Sequence, residues 1–298
     1  MNSTDFKNLI DRINPETQKV GVFGYPVKHS ASPAMQNAAF QSAGLNYIYL
    51  SFEVKPEDIG EALNSLRILG FRGMNLTIPH KEICLPFLDE ISEEALKIKA
   101  VNTVIIDSGK LKGFNTDIEG FLKPLACEKN YQPAGKKVVV LGAGGAARAV
   151  AFSLLDAGAG EVVIANRNAE RAGRLSAFMK SLFPLPDIRQ VSISDSSLPD
   201  EISASSLLVN CTPLGMEGEI PLDNTACLKP GLIVYDLIYR PAETPLLSAA
   251  RKRGADIIGG LGMLVYQGAA SFRIWTSAEP PVDVMKKACA RAVEGYNS

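Results

Sequence analysis

The chain of 298 residues is too long for one small core and implies about two domains, and its 46% hydrophobic and 21% charged residues are ordinary for a globular protein. With 31 basic and 32 acidic side chains the formal charge is -1, which gives no electrostatic ground for binding nucleic acid. No apolar run is long enough to span a bilayer, so no membrane attachment is expected.

The polar start MNSTDFKNLIDR lacks the apolar core of a signal peptide, and the five cysteines form no CxxC pair. They read as reduced thiols in a cytoplasmic protein. The two histidines, His29 and His80, have no partner at ligand spacing, so no metal is expected.

In chain order, a helix is predicted near residues 4–13, then a strand over 19–23 that runs into GYPVKHSASPAMQNAAF. Ser32-Pro33 has the form of a helix start, a capping hydroxyl followed by proline at the first position. Ser30 and Ser32 therefore lie at the carboxyl end of a strand, where open α/β sheets bind small ligands. A strand over 46–54, an amphipathic helix over 56–69 ended by Gly70, and a strand over 71–77 complete a βαβαβ half. Asn75, Thr77 and Lys81 collect at its edge in GMNLTIPHKE.

A short helix over 91–99 precedes a hairpin turning at Ser108-Gly109, which brings Asn102 on one strand and Asn115, Thr116 and Asp117 after the other. Lys81 is the candidate for proton transfer and Asp117 the acid to position it. Burial lowers a lysine's pKa toward the working range of about 7 to 8, and a carboxylate nearby opposes that shift.

Residues 136–167, KKVVVLGAGGAARAVAFSLLDAGAGEVVIANR, read as strand, glycine turn, helix and second strand of a dinucleotide-binding unit. Gly142 permits the tight turn, Gly144 lets backbone approach a pyrophosphate, and Ala147 is small where the helix packs on the sheet. Such a site selects NAD with an acid about 20 residues on. Here the strand ends in Asn166-Arg167 with Arg171 a helical turn later, and a guanidinium pair suits a 2′-phosphate, so NADP is expected. Further on come a helix over 169–183, a proline-containing connection over 184–198, strands over 206–210, 232–237 and 255–258, and a helix over 245–253. Gly259, Gly260 and Gly262 form a junction before helices over 263–275 and 282–295.

The segments GYPVKHSASPAMQNAAF, GMNLTIPHK, AVNTV, GFNTDIEG, LGAGGAARA, ANRNAERA, NCTPLGM, DLIYRPAETPLL and GGLGMLVYQGAASFRIW, in this order from Gly24 to Trp275, resemble the shikimate dehydrogenase family. The resemblance implies an α/β protein of two domains: an N-terminal substrate domain with a mostly parallel sheet, and a Rossmann-type NADP-binding domain, with a cleft between them. The first would span residues 1–119, completed by helices in 262–298, and the second 120–261. It implies reversible NADPH-dependent reduction of 3-dehydroshikimate to shikimate by a monomer or homodimer. By position, Ser30 and Ser32 would bind the substrate carboxylate, and Thr77, Asn102 and Asp117 the ring hydroxyls. Lys81 would transfer the proton, and Tyr239 and Gln267 would complete the pocket. Gly142, Ala143, Gly144, Gly145 and Ala146 would hold the pyrophosphate, and Asn166, Arg167 and Arg171 the 2′-phosphate. Leu237, Gly260 and Met263 would flank the nicotinamide. Gln36 stands where the family pattern has His and faces away from the chemistry, and Asn168 replaces a Thr beside the 2′-phosphate clamp, where it could loosen the preference for NADP. A dual quinate/shikimate dehydrogenase using NAD or NADP is the alternative enzyme, and a sensor that has kept the fold without the chemistry is the alternative of another class.

Overall fold

The computed structural model describes residues 13–295, so the helix expected over residues 4–13 lies, but for Ile13, outside the described residues. They divide into two compact units, one running to Thr116 and resuming at Gly268, the other Asp117–Gln267.

The first unit is built on a six-stranded sheet of β1 (Gln18–Gly24), β2 (Tyr47–Glu53), β3 (Gly73–Leu76), β4 (Glu90–Ile91), β5 (Thr103–Asp107) and β6 (Lys110–Phe114). Its order is β2-β1-β3-β5-β6-β4. β1 pairs in parallel with both β2 and β3, and the β5–β6 hairpin adds antiparallel to β3. The hairpin turns where predicted, through Ser108 at φ 50° and Gly109 at φ 78°, the positive pair that a two-residue turn matched to strand twist requires.

The crossover helices are α1 (Ser32–Ser42) and α2 (Ile59–Ile68). α2 buries Ile59, Leu63 and Leu66, a 3.6-period stripe packed against Phe23, Met74 and Leu76 of the sheet. Ser32 is not the cap expected of it. Ala31 occupies the cap position and no side chain caps α1. The Ser30 hydroxyl accepts the Ser32 N–H at 3.3 Å, which organises the turn ahead of the helix. Two short helices follow, α3 (His80–Ile83) and α4 (Glu93–Ile98), and Ser92 caps the latter by accepting from the Ala95 N–H at 3.3 Å.

The second unit has six strands, all parallel: β7 (Lys137–Leu141), β8 (Glu161–Asn166), β9 (Asp187–Ser192), β10 (Leu207–Asn210), β11 (Ile233–Asp236) and β12 (Asp256–Ile258). The order β12-β11-β10-β7-β8-β9 is that of the doubly wound dinucleotide fold, with its reversal between β7 and β10. β7, β10 and β11 are apolar runs buried on both faces, as central parallel strands must be.

Its helices begin with α5 (Asp117–Lys129), α6 (Gly145–Asp156) and α7 (Ala169–Leu182) and continue with α8 (Leu198–Ser203) and α9 (Pro245–Lys252). β9 falls inside the connection expected over 184–198, and α8 occupies a stretch before the 206–210 strand for which no element is expected. β9 is a polar edge strand with one fully buried residue, Ile188, so it lacks the apolar run that marks its neighbours. α10 (Leu261–Thr276) begins two residues before its predicted start and absorbs Gly262, which is therefore helix and not junction. A β-carbon on Gly262 would stand 3.1 Å from the Pro124 ring of α5, so the glycine allows close helix approach. The last helix is α11 (Val282–Gly295).

Candidate active site

In the first unit, backbone bonds gather the expected substrate residues. The Thr77 N–H donates to the Phe23 carbonyl at 2.9 Å, tying the end of β3 to the end of β1, where Ser30 and Ser32 follow. The Lys81 carbonyl accepts from the Val101 N–H at 2.8 Å, which puts α3 beside Asn102. Asn102 is fixed at both ends: its carbonyl accepts from Leu76 N–H at 2.9 Å, and its Oδ1 accepts from the Thr116 N–H at 2.8 Å. His80, next to Lys81, is fully buried, and burial pushes its pKa down, so it adds no second cation there.

A polar network invisible in the sequence lies beneath. Tyr49 donates its phenol proton to Asn75 Oδ1 at 2.8 Å. Asn75 Nδ2 donates to the Asn102 carbonyl, Thr103 Oγ1 and Ser271 Oγ, each at 3.0 Å. Thr103 and Ser271 hydroxyls are 2.8 Å apart. Burial drives the Tyr49 phenol pKa far up, so it stays protonated as a donor. One amide thus joins Tyr49 of β2 to Asn102, Thr103 and Ser271. Gln36 is fully buried, and its amide donates to the Gly268 carbonyl at 2.8 Å, next in the chain to Gln267.

In the second unit, Gly142 takes φ +109°, and its N–H donates to the Ala165 carbonyl at 2.8 Å. A β-carbon there would stand 3.3 Å from the Cys211 backbone, and one on Gly144 would meet nothing within 4 Å. No side chain caps α6, so the N–H groups of Gly145 and Ala146 face an open, glycine-shaped cradle suited to a pyrophosphate. At the end of β8, Asn166 Nδ2 donates to the Asn168 carbonyl at 3.0 Å, and Asn168 Oδ1 accepts the Arg171 N–H at 2.9 Å. Asn168 is therefore the cap of α7, a role Asn fills as well as Thr. Arg167 and Arg171 are exposed, and no carboxylate among the described residues holds either guanidinium.

Leu237 and Gly260 meet: a β-carbon on Gly260 would lie 2.1 Å from the Leu237 carbonyl oxygen. Met263 and Gln267 of α10 lie against Gly120 of α5, where a β-carbon would be 2.7 Å from Gln267 Cβ and 3.0 Å from the Met263 carbonyl. The Gln267 amide donates to the Leu264 carbonyl of its own helix at 2.7 Å. Tyr239 is half-buried in the loop after β11, and Asp117, the first residue of α5, is buried.

The parallel strand order, the glycine cradle at the switch point and the asparagine–arginine cluster define a dinucleotide-binding α/β protein. Three family models match it: the shikimate dehydrogenase substrate binding domain over residues 22–104, shikimate / quinate 5-dehydrogenase over 125–195, and the shikimate 5′-dehydrogenase C-terminal domain over 260–289. The chain belongs to the shikimate dehydrogenase family. It is 46% identical to shikimate dehydrogenase (NADP(+)) of Moorella thermoacetica, over 95% of this chain and 96% of that one. The shikimate 5-dehydrogenase of Thermus thermophilus, solved with NADP(H) and shikimate, is 39% identical with a TM-score of 0.82, covering 92% of this chain and 99% of that one. The quinate dehydrogenase of Corynebacterium glutamicum, solved with NAD, is 32% identical with a TM-score of 0.84, covering 91% and 98%.

Proposed function

We propose that the protein catalyses the reversible NADPH-dependent reduction of 3-dehydroshikimate to shikimate. The observation that carries the choice of cofactor is the tip of β8, where Asn166 ends the strand, Arg167 and Arg171 follow, and the strand itself does not end in an acid that would hold a free ribose 2′-hydroxyl. NADPH, when bound, supplies the hydride. Residues 120–261 bind it. The N–H groups of Gly145 and Ala146, with Gly142, Ala143 and Gly144, take the pyrophosphate, and Leu237, Gly260 and Met263 flank the ring. Residues 1–119 and 262–298 bind the substrate. Ser30 and Ser32 hydroxyls donate to its carboxylate, and Thr77, Asn102, Tyr239 and Gln267 hold its ring.

Lys81 gives a proton to the forming alkoxide in reduction and takes it back in oxidation, and Asp117 orients the ammonium and a substrate hydroxyl. We place the reaction in the cytoplasm, a reading supported by five cysteines that are all unpaired, and assign it to a monomer or homodimer.

The test is oxidation of shikimate and, separately, quinate by the purified protein with NADP and with NAD, followed by absorbance of the reduced cofactor. Turnover mainly of shikimate with NADP is expected, and Lys81→Ala should lose turnover by about 100-fold or more while still binding shikimate. Comparable turnover of quinate or a preference for NAD would move the chain to the dual-specificity branch. Unchanged turnover in Lys81→Ala would sink the proton-transfer assignment.

A further inference from the structure

β10 and β11 end in register at Asn210 and Asp236, and both side chains are fully buried. Asp236 Oδ1 accepts from Asn210 Nδ2 at 3.0 Å and from the Ile238 N–H at 3.1 Å, and its Oδ2 accepts from the Thr244 hydroxyl at 2.7 Å. Asn210 Nδ2 also donates to the Leu214 carbonyl at 3.1 Å, while its Oδ1 accepts from the Thr212 N–H at 3.0 Å and hydroxyl at 2.7 Å. The two side chains therefore tie together the loop after β10, the loop after β11 and the start of α9.

Every partner of Asp236 is a donor. Thr244 has no freedom to reverse its role, because its oxygen already accepts the Leu247 N–H at 3.3 Å as the cap of α9, so its proton needs an acceptor. An amide at position 236 would turn an NH2 group toward one of these donors. The position demands an acceptor-only side chain, and the carboxylate is kept although burial, unrelieved by any cation bonded to it, pushes its pKa up. A buried carboxylate that accepts from the strand beside it, from its own loop and from the start of α9 fixes the path of that loop. Leu237 follows it directly, with Leu237 N–H donating to the Asn210 carbonyl at 3.1 Å and Leu237 O in the path of any side chain on Gly260. Tyr239 lies two residues further on in the same loop.

We propose that Asp236, with Asn210 and Thr244, is a positioning clamp that sets the loop carrying Leu237 and Tyr239. It governs alignment at the nicotinamide end of the cofactor and leaves the hold on the phosphates untouched. The proposal rests on the family activity assigned above. The clamp reaches the reaction through the loop backbone and through the Leu237–Gly260 contact, whereas the glycine cradle and the Arg167–Arg171 cluster follow β7 and β8 and share none of its hydrogen bonds.

Thr244→Val removes the hydroxyl proton at nearly constant volume, and Thr244→Ser keeps it. Thr244→Val should lower kcat for shikimate oxidation by about tenfold or more, while the NADP+ dissociation constant measured by calorimetry changes less than threefold. Thr244→Ser should restore kcat to within about threefold of the wild type. Hydrogen exchange at the Ile238 amide, read by mass spectrometry on folded protein, should quicken in Thr244→Val and not in Thr244→Ser. A wild-type protein inactive on shikimate would refute the assigned activity, and the clamp would then stand or fall on the exchange data. Unchanged Ile238 protection in Thr244→Val, equal losses in kcat and NADP+ affinity, or a Thr244→Ser variant as impaired as Thr244→Val would overturn the proposal.

Discussion

Replacing both Arg167 and Arg171 with Ala should convert the preference for NADP into indifference between NADP and NAD. Both side chains are exposed, so each charge-assisted bond to a 2′-phosphate belongs at the low end of its range, about 1.5 kcal/mol. At about 1.4 kcal/mol per factor of ten, each arginine contributes roughly tenfold and the pair roughly 100-fold in affinity for NADP. The fold has little reason to suffer. Arg171 is bonded to the cap of α7 through its backbone N–H, which survives the substitution, and its neighbour Arg174 pairs with Glu170 independently. Steady-state kcat/KM with NADP and with NAD at fixed shikimate, repeated at two salt concentrations, measures the effect. NADP efficiency should fall by about two decades, NAD efficiency should stay within about threefold, and the NADP value for the wild type alone should decline steeply with salt. Parallel losses with both cofactors would show that the arginines support the pyrophosphate or the fold, and would refute the reading of the β8 tip.

Gly260→Ala should damage the second unit, because its β-carbon would enter the Leu237 carbonyl, a backbone atom that cannot swing aside; denaturant unfolding should show a loss of about 2 kcal/mol or more. Asn75→Ala should strand the Tyr49, Thr103 and Ser271 groups it serves, for a loss of about 2 to 4 kcal/mol in denaturant unfolding, and should raise KM for shikimate through the loosened Asn102. Unaltered KM would disconnect this network from substrate binding. Glu201 bonds to Arg189 at 2.8 Å and to Lys137 at 2.5 Å, and these partners, Arg189 first, hold its pKa below the usual carboxylate range. A depressed folded-state pKa stabilises above the ordinary carboxylate value and loses that contribution as pH falls through the folded one. Glu201→Gln should therefore be less stable than wild type by about 1 kcal/mol at neutral pH, and the gap should close in acid; a gap that persists at pH 2 would point to packing instead.

What the sequence makes legible is local. The β7 turn, with its glycines and following helix former run, declares its geometry within a dozen residues, and the β8 tip, with Asn166 and Arg167 at its end, is the basis on which NADP is expected. Ser30, Ser32, Thr77 and Lys81 are legible as strand-end polar residues for the same reason. Residues 187–192 hide because an edge strand, buried through Ile188 alone, needs no apolar run. The Ser32 cap misleads because Ser30 is an equally good acceptor two residues earlier, and only the backbone path decides between them.

The buried hubs escape for a different reason. Asn75 meets Ser271 across 196 positions, and Asp236 meets Asn210 across 26, so neither pairing leaves a periodic trace. Each looks in the sequence like an ordinary polar residue near the end of a strand. Their meaning comes from stoichiometry: Asn75 Nδ2 serves three acceptors, and Asp236 serves three donors. A side chain with that many fixed partners has one acceptable chemistry, amide in the first case and carboxylate in the second. The residues that contact a ligand can vary with the ligand, but a hub of this kind constrains the backbone that presents them, so substitutions at Asn75 and Asp236 should be harder to compensate than substitutions at the exposed Arg167 and Arg171.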